Sequence, residues 1–200
     1  MSRKLAAACI AAMAWASAAH AQDARFFVSG ALGAASGRLD GPHAGDRRDG
    51  SDVAGAVRAG VIWQGPIAWG IETGYVDLGK VSERYIVNLA NVRNEAHTRG
   101  TLLGGNATYR FDAPWYLCAR GGWLHSSIDL HASASGAYLT AASTTASGNG
   151  WYLGVGGGYD LSERASVGLH YDFYHLKASS NGADVSGHVG TLMVQLEYRY

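Results

Sequence analysis

His188-Val189-Gly190-Thr191-Leu192-Met193-Val194-Gln195-Leu196-Glu197-Tyr198-Arg199-Tyr200 is the stretch whose reading decides the fold. From Leu192 onward the even positions are Leu192, Val194, Leu196, Tyr198 and Tyr200, and the odd ones are Met193, Gln195, Glu197 and Arg199. Successive side chains of a strand point to opposite faces, so this pattern predicts one greasy face and one largely polar face. The greasy face runs out in two tyrosines. Termini of soluble proteins usually fray into water, which makes a terminal strand this hydrophobic unusual. The fold turns on which solvent that face meets.

Seven more stretches alternate in the same way. Residues 25–36 carry Phe26, Val28, Gly30, Leu32 and Ala34 on one face, and residues 52–64 carry Val53, Gly55, Val57, Ala59, Val61 and Trp63. The third has Ile67, Trp69, Ile71, Thr73 and Tyr75; the fourth has Thr101, Leu103, Gly105, Ala107, Tyr109 and Phe111. Trp115, Leu117, Ala119, Gly121 and Trp123 mark the fifth, and Trp151, Leu153, Val155, Gly157, Tyr159 and Leu161 the sixth. Val167, Leu169, Tyr171 and Phe173 mark the seventh.

Connections alternate in length. Tight turns are expected at Gln64-Gly65-Pro66, Asp112-Ala113-Pro114 and Ser162-Glu163-Arg164, and longer loops at residues 37–50, 79–97, 128–148 and 177–186. Short turns fall at one end and long loops at the other, as in eight-stranded bacterial outer-membrane barrels. About ten residues per strand suffice to cross the hydrocarbon layer when tilted. The expected fold is all-β, an eight-stranded antiparallel up-and-down transmembrane barrel. Trp63, Phe111, Trp115, Tyr159, Tyr198 and Tyr200 would form a periplasmic aromatic girdle, and Tyr75, Trp123, Trp151 and Phe173 an outer one.

Arg3 and Lys4 precede an apolar run that ends at Ala19-His20-Ala21, the form of a secretory signal cut after Ala21. Residues 1–21 therefore read as a cleaved signal and residues 22–200 as the barrel. Fourteen basic and 16 acidic residues remain after cleavage, with no basic patch, which argues against nucleic acid. Cys9 leaves with the signal, so Cys118 has no disulfide partner and is expected as a small buried residue. No Cys/His spacing suggests a metal, no cofactor is expected, and Gly154-Val155-Gly156-Gly157-Gly158 continues a strand rather than opening a phosphate loop.

If the greasy faces meet lipid, the interior receives Arg58, Glu72, Asn106, Arg110, Arg120, Asp160, His170, Asp172, Glu197 and Arg199. Eight strands leave room mainly for side chains, so these predict a polar plug. A first hairpin centred on Gly65 would set Arg58 opposite Glu72; a second centred on Ala113 would set Arg120 opposite Asn106. Inward glycines at 154, 156 and 158 would make room for bulky plug residues such as Arg120. His170 and Asp172, two apart on one face, are the residues a proton or ion path would use.

The signal, the eight stretches and the terminal aromatic strand together resemble small outer-membrane barrel proteins, the OmpA-barrel, OmpX/Ail/Lom and opacity-protein-like group. The most specific pieces are residues 150–161 (GWYLGVGGGYDL), residues 167–174 (VGLHYDFY) and the closing strand through Tyr198-Arg199-Tyr200. The resemblance implies that Leu196, Tyr198 and Tyr200 are read by the barrel-assembly machinery. It implies outer-membrane lipid, including lipopolysaccharide, as surroundings. Members of the group serve as adhesins, resistance factors or plain structural barrels.

The expected function is accordingly non-enzymatic, structural or surface-binding through extracellular loops, where Asp46, Arg47, Arg48 and Asp49 form the most charged tip. Two alternatives stand beside it. His125-Ser126-Ser127 resembles the His-x-Ser pair of lipid A deacylase barrels, in which a histidine base two residues from Ser127 activates its hydroxyl. That pattern departs where Ile128 replaces the family's Asn. The other alternative is a narrow channel.

Overall fold

The computed structural model describes the backbone of residues 24–40, 47–87, 90–135, 140–180 and 183–200, and the side chains of 24–37, 52–79, 97–127, 147–177 and 186–200. Its strands are β1 (Ala24–Asp40), β2 (Arg47–Trp63), β3 (Ala68–Val87), β4 (Ala90–Arg110), β5 (Trp115–Ser135), β6 (Thr140–Asp160), β7 (Ala165–Ser180) and β8 (Ala183–Arg199). Each pairs antiparallel with the next. β8 returns to β1, from Phe27 opposite Arg199 to Asp40 opposite Ser186, and closes the barrel. Closure leaves no strand edge with unpaired backbone groups.

Alternation is resolved inside out. Leu32 and Val53 are each 71% exposed, whereas Arg58 is 1% and Asp172 0% exposed. A water-soluble barrel would reverse this. Among the described residues no helix is long and apolar enough to cross a membrane, and any crossing is made by strands.

Three tight turns sit where proline, glycine and serine place them. In the last, Ser162 Oγ accepts hydrogen bonds from the backbone N–H of Arg164 and Ala165 (3.3 and 3.0 Å), turning the chain into β7. The first hairpin differs from expectation. Trp63 pairs with Trp69, Gly60 with Glu72 and Arg58 with Gly74, so Arg58 and Glu72 are not directly opposed. Pro66 has no N–H to offer a ladder, so the turn takes in more residues and the pairing slides by two, which preserves parity. The slide lets Trp63 and Trp69 stack, with ring centroids 4.4 Å apart. The second hairpin pairs Arg120 with Asn106 as expected.

Strands also run further than hydrophobicity suggested. Segments expected as loops are largely paired, up to Asp40 with Arg47, Val87 with Ala90, Ala134 with Thr140 and Ser180 with Ala183. Arg47, Arg48 and Asp49 therefore begin β2 instead of tipping a loop; Asp46 and the signal, residues 1–21, lie outside the described residues. Ladder hydrogen bonds join backbones whatever the side chains, while greasy alternation marks only the part that faces lipid. In β3 the register against β4 shifts between Asp77 and Lys80, and Gly79 takes a φ of +82° there. A left-handed φ at a bulge suits glycine, which has no Cβ to clash.

Candidate functional site

The interior is built from the inward parity of all eight strands. At its centre lies Asp172 of β7. Arg120 of β5 grips it bidentately, Nε to Oδ1 at 2.8 Å and Nη2 to Oδ2 at 2.6 Å. Arg58 of β2 adds Nη2 to Oδ2 at 3.0 Å, and Tyr174 donates its hydroxyl to Oδ2 at 3.2 Å. Planar guanidinium and carboxylate groups match in this fork geometry, which fixes orientation as well as attraction. Arg120 Nη1 also reaches Gln195 Oε1 of β8 at 2.7 Å.

Glu72 of β3 is the second acceptor. Tyr152 donates to Oε1 at 2.8 Å, Asn106 Nδ2 donates to Oε2 at 2.9 Å, and Arg58 Nε stands 3.8 Å from Oε1. The opposite charges expected to face each other thus still meet, diagonally. One connected network links β2 through β8 across the lumen. Tyr152, Tyr174 and Gln195 complete it; their signal in the sequence was the parity they share with Asp160, Asp172 and Glu197 respectively.

Closer to the short turns lies a second cluster. Asp160 accepts from Arg110 Nε at 3.0 Å and from Arg199 Nη2 at 2.6 Å, and Glu197 stands 3.8 Å from Arg199 Nε. His170 does not join Asp172: its Nδ1 lies 3.5 Å from Cys118 Sγ. The half-buried Cys118 is therefore part of the lumen wall. Gly154 and Gly156 do make room as expected. A Cβ at Gly154 would collide with Asp172 and Arg120, and one at Gly156 with the His170 ring.

Apolar layers close both ends of this polar core. Toward the outside, Val76, Leu78, Leu102, Leu124, Leu176, Val189 and Met193 pack inside the barrel. Toward the short turns, Phe27, Ile62 and Ala68 form a smaller cluster. A polar plug was expected, and the apolar layers stand at both of its ends: the inward parity changes character along each strand. A cavity lined by network residues, Arg58, Glu72, Asn106, Arg120 and Gln195 among them, has a volume of about 20 Å³, room for about one water.

On the outward face the two aromatic girdles lie where the greasy parity put them. Phe111, Trp115, Tyr159, Tyr198 and Tyr200 are exposed at one end, and Tyr75, Trp123 and Trp151 at the other. Leu196 is 61% exposed, Tyr198 and Tyr200 meet edge to face at 4.9 Å, and the Tyr200 N–H donates to Phe26 O at 2.9 Å. His125 and Ser127 share the outward parity at the outer rim. His125 Nδ1, however, lies 2.8 Å from Asn149 Oδ1, on the neighbouring strand, and its ring stacks on Trp123.

Residues 5–199 match the family model described as outer membrane protein beta-barrel domain. The chain belongs to this family. As a member it is a bacterial outer-membrane barrel, and its outward apolar band is the surface that meets lipid. A search of curated proteins gave no match. Solved structures with a similar fold include Ail, the attachment invasion locus protein of Yersinia pestis, at 15% identity. It is covered over 99% of its chain and 88% of this one, with a TM-score of 0.50. Outer membrane protease OmpT from Escherichia coli (11% identity, 88% of this chain and 97% of that one, TM-score 0.53) is also similar. So is outer membrane protein OprG from Pseudomonas aeruginosa (12% identity, 88% and 95%, TM-score 0.52). At these identities the likeness bears on the fold.

Proposed function

We propose that this barrel is a non-enzymatic envelope protein that acts through its extracellular strand ends and loops, as a surface-binding, adhesin-like or structural component, exported by cleavage after Ala21. The carrying observation is the side-chain network that fills the middle of the barrel, around Arg58, Arg120 and Asp172. The cavity that these residues line is about 20 Å³, too small for a ligand larger than water, which supports recognition on the outside. β4, β5 and β6 are 21 residues each, about twice what a tilted strand needs to cross the hydrocarbon layer. Their outer halves continue as a paired ladder beyond that length, and loops carried on such a scaffold are where binding resides. The similarity to Ail, which was solved with the heparin analogue sucrose octasulfate, makes sulfated glycans a sensible first ligand class to assay.

The deacylase reading has less support, because the side-chain hydrogen bond of His125 goes to Asn149 and not to Ser127. Two assays test the proposal. Cells displaying the protein should adhere to sulfated-glycan or matrix-coated surfaces, and variants with β4–β5 shortened symmetrically above Thr101 and His125 should not. Purified protein in outer-membrane lipid should leave the lipid A mass unchanged. A deacylated product that disappears with Ser127→Ala would overturn the non-enzymatic reading.

A further inference from the structure

Three cross-strand pairs of polar side chains stand on the lipid-facing parity at or just beyond the outer aromatic girdle. His97 Nε2 meets Asp77 Oδ1 at 2.9 Å, His125 meets Asn149, and His175 of β7 meets His188 of β8. The third differs in kind, because both partners are imidazoles. His175 and His188 are direct ladder partners, and their Nδ1 atoms are 3.1 Å apart.

From this geometry we propose that His175 and His188 form a two-histidine clip for a divalent transition-metal ion of the imidazole-preferring class, Zn²⁺, Cu²⁺ or Ni²⁺. Two nitrogens bound to one such ion at about 2.05 Å and separated by 3.1 Å subtend roughly 98° at the metal. That lies between the angle of about 90° in a tetragonal site and about 109° in a tetrahedral one. The rings are held in place before any metal arrives. His175 packs on Trp151 with centroids 5.4 Å apart and His188 on Phe173 at 5.3 Å, while the β7–β8 ladder fixes both backbones. Such preorganisation removes much of the ordering cost of binding.

Both side chains are half-buried; His175 stands opposite Trp151 in the ladder and two residues outward of Phe173, at the level of the outer aromatic girdle, where headgroups meet hydrocarbon and an ion can arrive. Among the described residues no group of three or more His, Cys, Asp or Glu is placed to hold a metal. The protein thus supplies two ligands, and water or headgroup oxygen fills the remaining positions. Linear spacing could not reveal the pair: its members are 13 residues apart and meet only through the hairpin. The competing arrangement is metal-free, one ring donating Nδ1–H to the other.

The test uses the full mature chain without a polyhistidine tag, folded in detergent micelles. Cu²⁺ is titrated and followed by electron paramagnetic resonance, and Zn²⁺ by thermal unfolding. One equivalent of Cu²⁺ with hyperfine splitting from two imidazole nitrogens is expected, with Zn²⁺ raising the unfolding temperature. H175A and H188A should each weaken binding at least about tenfold, since even residues that only orient a ligand cost that much. Both should keep the heat-modifiable gel shift of a folded barrel, and H125A should bind as wild type. Binding by wild type no tighter than by the double variant H175A/H188A would overturn the clip, as would equal loss in H125A.

Discussion

Arg120 and Asp172, 52 residues apart on β5 and β7, are joined by two parallel hydrogen bonds of 2.8 and 2.6 Å in the centre of the barrel. The strand between them contributes Gly154, which pairs with Arg120 on one side and Asp172 on the other. The bridge therefore passes over a position that has no side chain.

Removal of the carboxylate should be costly. Asp172→Ala leaves Arg58 and Arg120 buried without their shared counter-charge, and breaking such a pair typically costs about 3–5 kcal/mol. Urea unfolding in lipid vesicles should show that loss for Asp172→Ala. Glu163→Ala, in an exposed turn, should change stability by no more than about 0.5 kcal/mol. Equal stabilities for the two variants would mean that the network does not hold the barrel.

Gly154→Val tests the space beneath the bridge. Its Cβ would press on Asp172 Oδ1 and the Arg120 side chain, whereas a Cβ at Gly30 meets nothing within 4 Å. Forcing extra atoms into a filled core costs about 1–3 kcal/mol. The valine variant should fold in lower yield, read as the heat-modifiable fraction on a gel, and Gly30→Ala should fold like wild type.

Planar bilayers should record no conductance steps from the wild-type protein. Ions would have to pass the apolar layer around Leu102, Leu124 and Met193 and then the Arg58–Asp172–Arg120 network. Regular single-channel steps would mean that the core opens.

Tyr200 deletion should reduce outer-membrane levels more than shortening of any extracellular connection. It removes the backbone hydrogen bond to Phe26 and the edge-to-face contact with Tyr198 at the seam where β8 meets β1. Quantitative blotting of outer-membrane fractions decides it. Normal levels of the deletion variant would remove Tyr200 from any role in assembly.

Much of this molecule is legible in its sequence, for one physical reason. Side-chain parity in a strand is a local property, so the closing stretch from Leu192 to Tyr200 announces a greasy and a polar face with no knowledge of its neighbours. The same parity identified Arg58, Glu72, Asn106, Arg120 and Asp172 as interior residues, and the turns at Pro114 and Ser162 were set locally, by a ring-fixed φ and by a hydroxyl that bonds the backbone just after it. Which solvent the greasy face meets is not local; it follows from closure, with Arg58 and Asp172 buried and Leu32 and Val53 outside. Pairing register is not local either. Only the folded hairpins moved Glu72 away from direct opposition to Arg58, drew Tyr152, Tyr174 and Gln195 into the network, and turned His170 toward Cys118. Contacts between strands depend on where each turn lets the ladder begin, and parity is unchanged by a slide of two residues. That is why the sequence by itself determined the faces, and why the tertiary structure alone decided that Asp172 is shared by two arginines and that His175 meets His188.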